Sequence, residues 1–308
     1  MRLIMEGKLG AQGGTAAFAL IFILIIVAAF LYFTYSPGPA PLPITEGVLV
    51  NYSYPNLVSP SSSFSINFRV SNNLAGNSAK NINLCLDDLG LFSVSSSSHC
   101  VGIPSLFAGG VLSESFSLTS PAVGEYGNIP YTQDIGYFVN FSYTSSATQS
   151  VIFASQNTLS SGATMPSTSF SRTAGPVAVA TSVAPVAYGN DALLQLILDN
   201  VGNGIVLGPV AMNISMNSAF INITTPPDGA KVFSYPNGTT VFSFLLNLGT
   251  SSLTMEMPIG LNPAEMSGLT STSAPYSPPF DVHVALSYNY EEDGFFPIYL
   301  SAETYTYS

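Results

Sequence analysis

Tryptophan is missing from this chain of 308 residues, histidine and cysteine occur twice each, and lysine and arginine together only six times. Charged residues make up 7% of it, against roughly 25% in an ordinary soluble protein. Each shortage excludes something. Beyond residue 35 only Arg69, Lys80, Arg172 and Lys231 are basic, and the net charge is −11. The long part of the chain therefore repels a phosphate backbone, and nucleic acid is excluded as a partner. There is no G-x-S-x-G elbow for a serine nucleophile, and no P-loop or dinucleotide fingerprint. Hydrophobic residues still reach 47%, so the chain is no disordered tail. Its polarity comes mostly from Ser, Thr, Asn and Tyr, and its length suffices for two ordinary domains.

One long apolar run is present. "TAAFALIFILIIVAAFLYFTY", Thr15 to Tyr35, has no charge and as a helix covers a hydrocarbon core of about 30 Å. Tyr32 and Tyr35 suit the interface. Arg2 and Lys8 precede the run, so the positive-inside rule puts residues 1–14 in the cytoplasm and everything after Tyr35 outside. Residues 36–46 contain "SPGPAPLP", an extended, semi-rigid spacer. A cleaved secretory signal would have a shorter apolar core and a small-x-small site, which "LYFTYSPGPAPLP" lacks. "KLGAQGGTAAFALIF" is similar to archaeal type III signal peptides of pilin-like proteins, which implies a cut after Gly10. Thr15 stands where many such pilins carry Glu. Gly10/Gly14 and Gly13/Ala17 are spaced for close helix approach in a membrane, although ordinary small-residue content at a helix start accounts for them too.

The rest is a repeat. Sliding the chain by 128 positions lays "GVLVNYSYPNLVSPSSSFSINFRVSNNLAGNSAKNINLCL" from Gly47 over "GPVAVATSVAPVAYGNDALLQLILDNVGNGIVLGPVAMNI" from Gly175 without a gap. Ile66, Phe68 and Val70 meet Leu194, Leu196 and Leu198. Asn72 meets Asn200, and Ile82, Leu84 and Leu86 meet Val210, Met212 and Ile214. Strict alternation predicts half-buried strands, and the Asn/Gly clusters predict turns. "IGYFVNFSY" (Ile135 to Tyr143) and "FDVHVALSY" (Phe280 to Tyr288) close the copies, now 145 positions apart. In the first, Tyr137, Val139, Phe141 and Tyr143 share a face; in the second, Val282, Val284, Leu286 and Tyr288 do.

"FSINFRVSNNLAGNSAKNINLCL" and "LLQLILDNVGNGIVLGPVAMNISM" resemble the opening of CARDB-like domains and related archaeal S-layer-type Ig-like modules. "IPSLFAGGVLSESFSLTSPAVGEYG" (Ile103 to Gly127) looks like their middle. The resemblance implies a surface module for adhesion or spacing and carries over no catalytic residue. The predicted fold is all-β: two tandem Ig-like β-sandwiches after one N-terminal transmembrane α-helix. The first sandwich spans 47–155, a Ser/Thr linker spans 156–174, and the second sandwich spans 175–308. Each copy is expected to fold by itself.

Cys85 and Cys100, with fourteen residues between them, read as a disulfide outside the cell. Strand parity points Cys85 away from the core. A metal site from Cys85, Asp87, Asp88, His99 and Cys100 lacks paired spacing. His283, beside Asp281 on outward parity, reads as a solvated strand histidine rather than a general base. "EED" at Glu291–Asp293, followed by Gly294, reads as a charged hairpin turn rather than a Ca²⁺ loop. N-x-[ST] glycosylation acceptors occur at Asn51, Asn140, Asn213, Asn222 and Asn237, with Asn140 and Asn213 on outward parity.

These readings predict a single-pass protein of an archaeal cell envelope with a structural or adhesive role. It is expected to be no enzyme, with no catalytic or metal residues and no cofactor. Its expected partners are the membrane, other envelope proteins or surface glycans, and a second copy of the chain. The alternatives are a pilin-like filament subunit with its leader removed after Gly10, and an envelope hydrolase without a recognisable site.

Overall fold

The computed structural model describes residues 47–301, apart from 75, 96–97, 128, 155–157, 159–165, 184–190, 220, 222–227, 250 and 263–275. The expected membrane helix at 15–35, its flanks 1–14 and 36–46, and Asn222 lie outside the described residues. Among the described residues no helix is long and apolar enough to cross a membrane. By its contacts the chain divides into Met1–Pro43 and Ile44–Ser308, and only the second unit is described below.

It is all-β, consistent with an Ig-like β-sandwich. The first copy of the repeat supplies β1 (Val48–Ser53), β2 (Leu57–Val58), β3 (Ser63–Asn72), β4 (Ala79–Asp87), β5 (Ser93–Val94), β6 (Cys100–Leu106) and β7 (Val111–Thr119). A single turn of helix, α1 (Val123–Tyr126), and the long β8 (Tyr131–Val151) follow. The linker holds β9 (Phe170–Arg172). The second copy supplies β10 (Val177–Val183), β11 (Asp191–Asn200), β12 (Ile205–Asn217), β13 (Lys231–Tyr235), β14 (Thr239–Asn247), β15 (Ser252–Gly260) and the long β16 (Phe280–Leu300). They form a four-stranded sheet β1-β3-β7-β5, a three-stranded sheet β10-β11-β15, and a nine-stranded sheet. The last runs β13-β14-β12-β16-β8-β4-β6, with β2 and β9 added at its sides.

Period-2 alternation sends one face of each strand inward. Ile66, Phe68 and Val70 on β3, Leu194, Leu196 and Leu198 on β11, and Ile82, Leu84 and Leu86 on β4 are all buried, as the repeat predicts. The copies also share an irregularity. The β4–β8 register shifts between Lys80 and Asn83, and the β12–β16 register shifts between Leu207 and Ala211. Asn83 and Ala211 are equivalent positions of the repeat, so the bulge belongs to the unit that was repeated. Asn72 and Asn200 also do one job. The Asn72 Nδ2 donates to the carbonyls of Asn77 (2.8 Å) and Leu106 (3.0 Å), and the Asn200 Nδ2 donates to that of Gly204 (2.9 Å). Each amide ties the end of its strand to the turn that follows, satisfying backbone groups that would otherwise be orphaned.

The two copies are joined through the nine-stranded sheet, because β8 of the first pairs with β16 of the second along its whole length. The chain crosses from one copy of the repeat to the other inside a strand, and twice. β8 and β16 are each 21 residues long and pair antiparallel from Phe280↔Val151 to Leu300↔Tyr131. The first half of β8 pairs with β4 of its own copy, but its second half pairs with β9 and lies against β10. Phe153 just beyond it stacks near Phe280, with centroids 5.4 Å apart. In return, the second half of β16 leaves its own copy. Phe296 sits among Tyr52, Tyr54, Phe68 and Tyr137, with centroids 4.7–6.3 Å away. Leu57 and Val58 of β2 pair with Tyr299 and Leu300. Each copy is thus completed by a half-strand from the other.

The stretch expected to be a turn, Glu291–Gly294, is the middle of β16 and makes no turn. Asp293 pairs with Phe138 and Gly294 with Tyr137. Glycine is there for room: a Cβ on Gly294 would come within 2.6 Å of the Tyr137 Oη. The residue that looked like a turn former is a close approach between strand and ring.

Candidate functional site

The disulfide forms as expected, Cys85–Cys100, between register partners of β4 and β6 with Cα atoms 4.1 Å apart. Cys85 alternates with the core residues Leu84 and Leu86 and so lies on the outer side, yet it is fully buried. Its own bridge and the Asn83 amide, which donates to its Sγ at 3.2 Å, cover it. With both thiols in the bridge, the alternative metal set loses its two strongest ligands. Among the described residues no three His, Cys, Asp or Glu side chains are grouped to hold a metal. His99 lies at the surface, where its carbonyl accepts from the Leu86 N–H.

The outer face of the nine-stranded sheet is rich in small polar side chains. Where β8 meets β16 it presents Ser142, Thr144, Ser146 and Thr148 beside Asn289, Ser287, Ala285 and His283. Ser142 Oγ donates to Asn289 Oδ1 at 2.8 Å, and Thr148 Oγ1 is 2.9 Å from His283 Nδ1. This strip is hydroxyl- and amide-rich and nearly without charge. A groove of about 380 Å³ opens over its centre, lined by Lys80, Ser142, Thr144, Ser287 and Asn289 among others. A second groove, of about 280 Å³, lies where β12 and β14 end and β16 begins, and here Asp281 and His283 meet Asn217, Asn237 and Thr239.

The inner face beneath is a row of tyrosines. Tyr288 Oη lies 2.8 Å from Ser145 Oγ and accepts from the Val177 N–H at 3.2 Å. Tyr290 Oη donates to Asn200 Oδ1 at 3.0 Å and accepts from the Gly204 N–H at 2.8 Å. Burial pushes the Tyr143 phenol up to about 12, and pushes Tyr288 higher still, against the pull of their hydrogen bonds. Tyr137 also rises to about 12, first through burial and then through the nearby Tyr52, Glu292 and Asp293. These hydroxyls pin the crossing strands to the facing sheets. Tyr137, Tyr143 and Tyr288 were legible only as residues of an inward face, because their partners sit on strands far away in sequence.

The four described glycosylation acceptors differ in setting. Asn51 is exposed on β1, opposite Arg69. Asn140 is half-buried mid-sheet, flanked by Asn83 and Glu291. Asn213 is exposed in the middle of β12, between Ser243 and Ala285. Asn237 alone of these four stands at a hairpin tip, between β13 and β14.

No protein-family model matches the sequence, and neither does any curated protein. Among solved structures, the chain is similar to native alpha-2-macroglobulin from Escherichia coli, spanning domain MG7 to the C-terminus. That match has 10% identity and a TM-score of 0.24 over 58% of this chain and 25% of that one. Red sea bream transglutaminase matches at 8% identity and a TM-score of 0.20 over 76% of this chain and 29% of that one. The chain thus spans under a third of either structure, and likenesses of this size carry no functional argument.

Proposed function

We propose that this is a membrane-anchored cell-surface protein, N-in/C-out, with a structural or adhesive role in an archaeal cell envelope. It presents two Ig-like sandwiches related to the CARDB-like and S-layer-type modules that its repeat resembles, raised from the lipid by the Pro-rich stretch. The observation that carries the reading is the Cys85–Cys100 bridge. An oxidised pair persists outside the reducing cytoplasm, and the one long apolar run, Thr15 to Tyr35, precedes it as an anchor with Arg2 and Lys8 on the inner side. The near-neutral, hydroxyl-rich sheet face suits contact with other envelope proteins, surface glycans or a second copy. Two sandwiches sharing one continuous sheet also suit a load-bearing spacer, since the paired strands β8 and β16 run between them.

The test is protease added to intact cells that carry an epitope after Ser308. Loss of the epitope supports an external C-terminus, and protection until the cells are permeabilised sinks it. N-terminal sequencing of the native protein separates the anchor from the pilin-like alternative, because a chain beginning at Ala11 would mean a leader cut after Gly10.

A further inference from the structure

We propose that Asn237 carries an N-linked glycan whose first sugar seats in the groove beside it, against Asp281, His283 and Asn217. The inference rests on the external placement proposed above. The segment "YPNGTT" forms the β13–β14 turn through a bond from the Gly238 N–H to the Tyr235 carbonyl at 3.1 Å, with Pro236 pre-set for the turn and Gly238 at a φ of +76°. The Asn237 Oδ1 accepts from the Thr239 N–H at 3.2 Å, and among the described residues its Nδ2, the atom that takes the sugar, donates to nothing. Asn51, Asn140 and Asn213 lie instead in strands, where ladder pairing holds their backbones flat. Asn237 is exposed, and both it and Thr239 line the groove of about 280 Å³.

The chemistry of that groove points to a saccharide. No Lys or Arg lines it, so it does not select an anion. One carboxylate, Asp281, is too little for Ca²⁺, which takes six to eight oxygens. What remains is a carboxylate, an imidazole, amides and hydroxyls, a set that pairs with neutral sugar hydroxyls. In the transfer, Asn237 Nδ2 attacks the anomeric carbon of a lipid-linked phosphosaccharide. The N–C bond forms, the C–O bond to phosphate breaks, the lipid phosphate leaves, and the amide proton passes to the transferase.

The experiment is glycopeptide mapping of the full chain from its native cells, with Asn237→Gln, Asp281→Ala and His283→Ala variants. Asp281 and His283 are exposed, and unchanged melting curves will show that their variants fold. Asn237 should be modified, and Asn237→Gln should remove that mass. Asp281→Ala should keep the glycan but speed its release by an endoglycosidase about tenfold, the size expected for one charge-assisted hydrogen bond. An unmodified Asn237 overturns the proposal. If another acceptor is then occupied, the external reading survives without it. A modified Asn237 with release unchanged in both groove variants overturns the seat. Chitotriose binding at Asp281 in a chain whose native Asn237 is bare would assign the groove to a foreign glycan, and would overturn the proposal as well.

Discussion

Tyr143 and Tyr288 stand opposite one another in the β8–β16 register, with ring centroids 6.2 Å apart, and they are equivalent residues of the two repeats. An antiparallel ladder has only one point where a residue faces its own counterpart, and a local two-fold axis passes through it. The remaining register obeys that axis: Phe280 pairs with Val151, and Phe296 with Ile135, the counterpart of Phe280. Beyond this axis the far ends of both strands reach the other repeat: Phe296 packs against Phe68 and Tyr52, and Leu57 and Val58 pair with Tyr299 and Leu300.

Cutting the chain between the repeats should separate each core from a strand it needs. Fragment 47–165 lacks Phe296, Ile298 and Leu300, and fragment 166–308 lacks Ala147, Val151 and Phe153, all buried in the intact chain. Neither should melt cooperatively alone, and mixing should restore one complex with one transition. Size-exclusion chromatography and circular dichroism read this out. Two separately cooperative fragments would show the exchange to be dispensable.

Phe68 and Phe296 should behave as one site although they belong to different repeats. Each is almost fully buried, and each should cost about 3–5 kcal/mol on replacement by Ala. The double variant should depart from additivity by about 0.5–3 kcal/mol. Denaturant titration of the four chains measures it, and strict additivity would mean that the two rings do not share a core.

Opening the Cys85–Cys100 bridge should lower stability by about 3 kcal/mol, the chain-entropy value for a loop of this length. The loss should show first as faster amide exchange in β6, which sits at the edge of the sheet. A urea midpoint that does not move when reductant is added would contradict this.

Alkaline pH should destabilise the protein between about 10 and 12. In the folded chain Tyr137 and Tyr143 keep their protons up to about 12, whereas the unfolded phenol releases its proton near 10.0. Above 10 the unfolded state holds fewer protons than the folded one, so stability falls as pH rises through this window and is fully present below it. Tyr137→Phe and Tyr143→Phe should each flatten the fall in melting temperature. A profile unchanged by both would rule these two groups out as its cause.

Much of the fold was legible in the residues alone. The alternation through Phe68 and Leu196 gave the inward faces correctly, and the spacing of Cys85 and Cys100 gave the bridge. Asn72 and Asn200 marked equivalent turns. The same reading stopped β16 too early, because Glu291–Gly294 has the composition of a turn and breaks the apolar alternation. In the fold those residues span the seam between two cores, where Gly294 makes room for the Tyr137 ring. The groove at Asn237 was not legible either: its acceptor was visible, but Asp281 and His283 reach it only through the pairing of β12 with β16.

By itself the sequence determined that the chain is built of half-buried strands, where the repeat begins again, and which side of each strand is apolar. Those properties are local, since a period of two follows from the pleat of a single strand. The tertiary structure alone decided which strand lies beside which. Hydrophobic alternation marks a strand's face but carries no label for its neighbour. That choice went to β8 with β16 because each supplies buried residues to the core of the other copy.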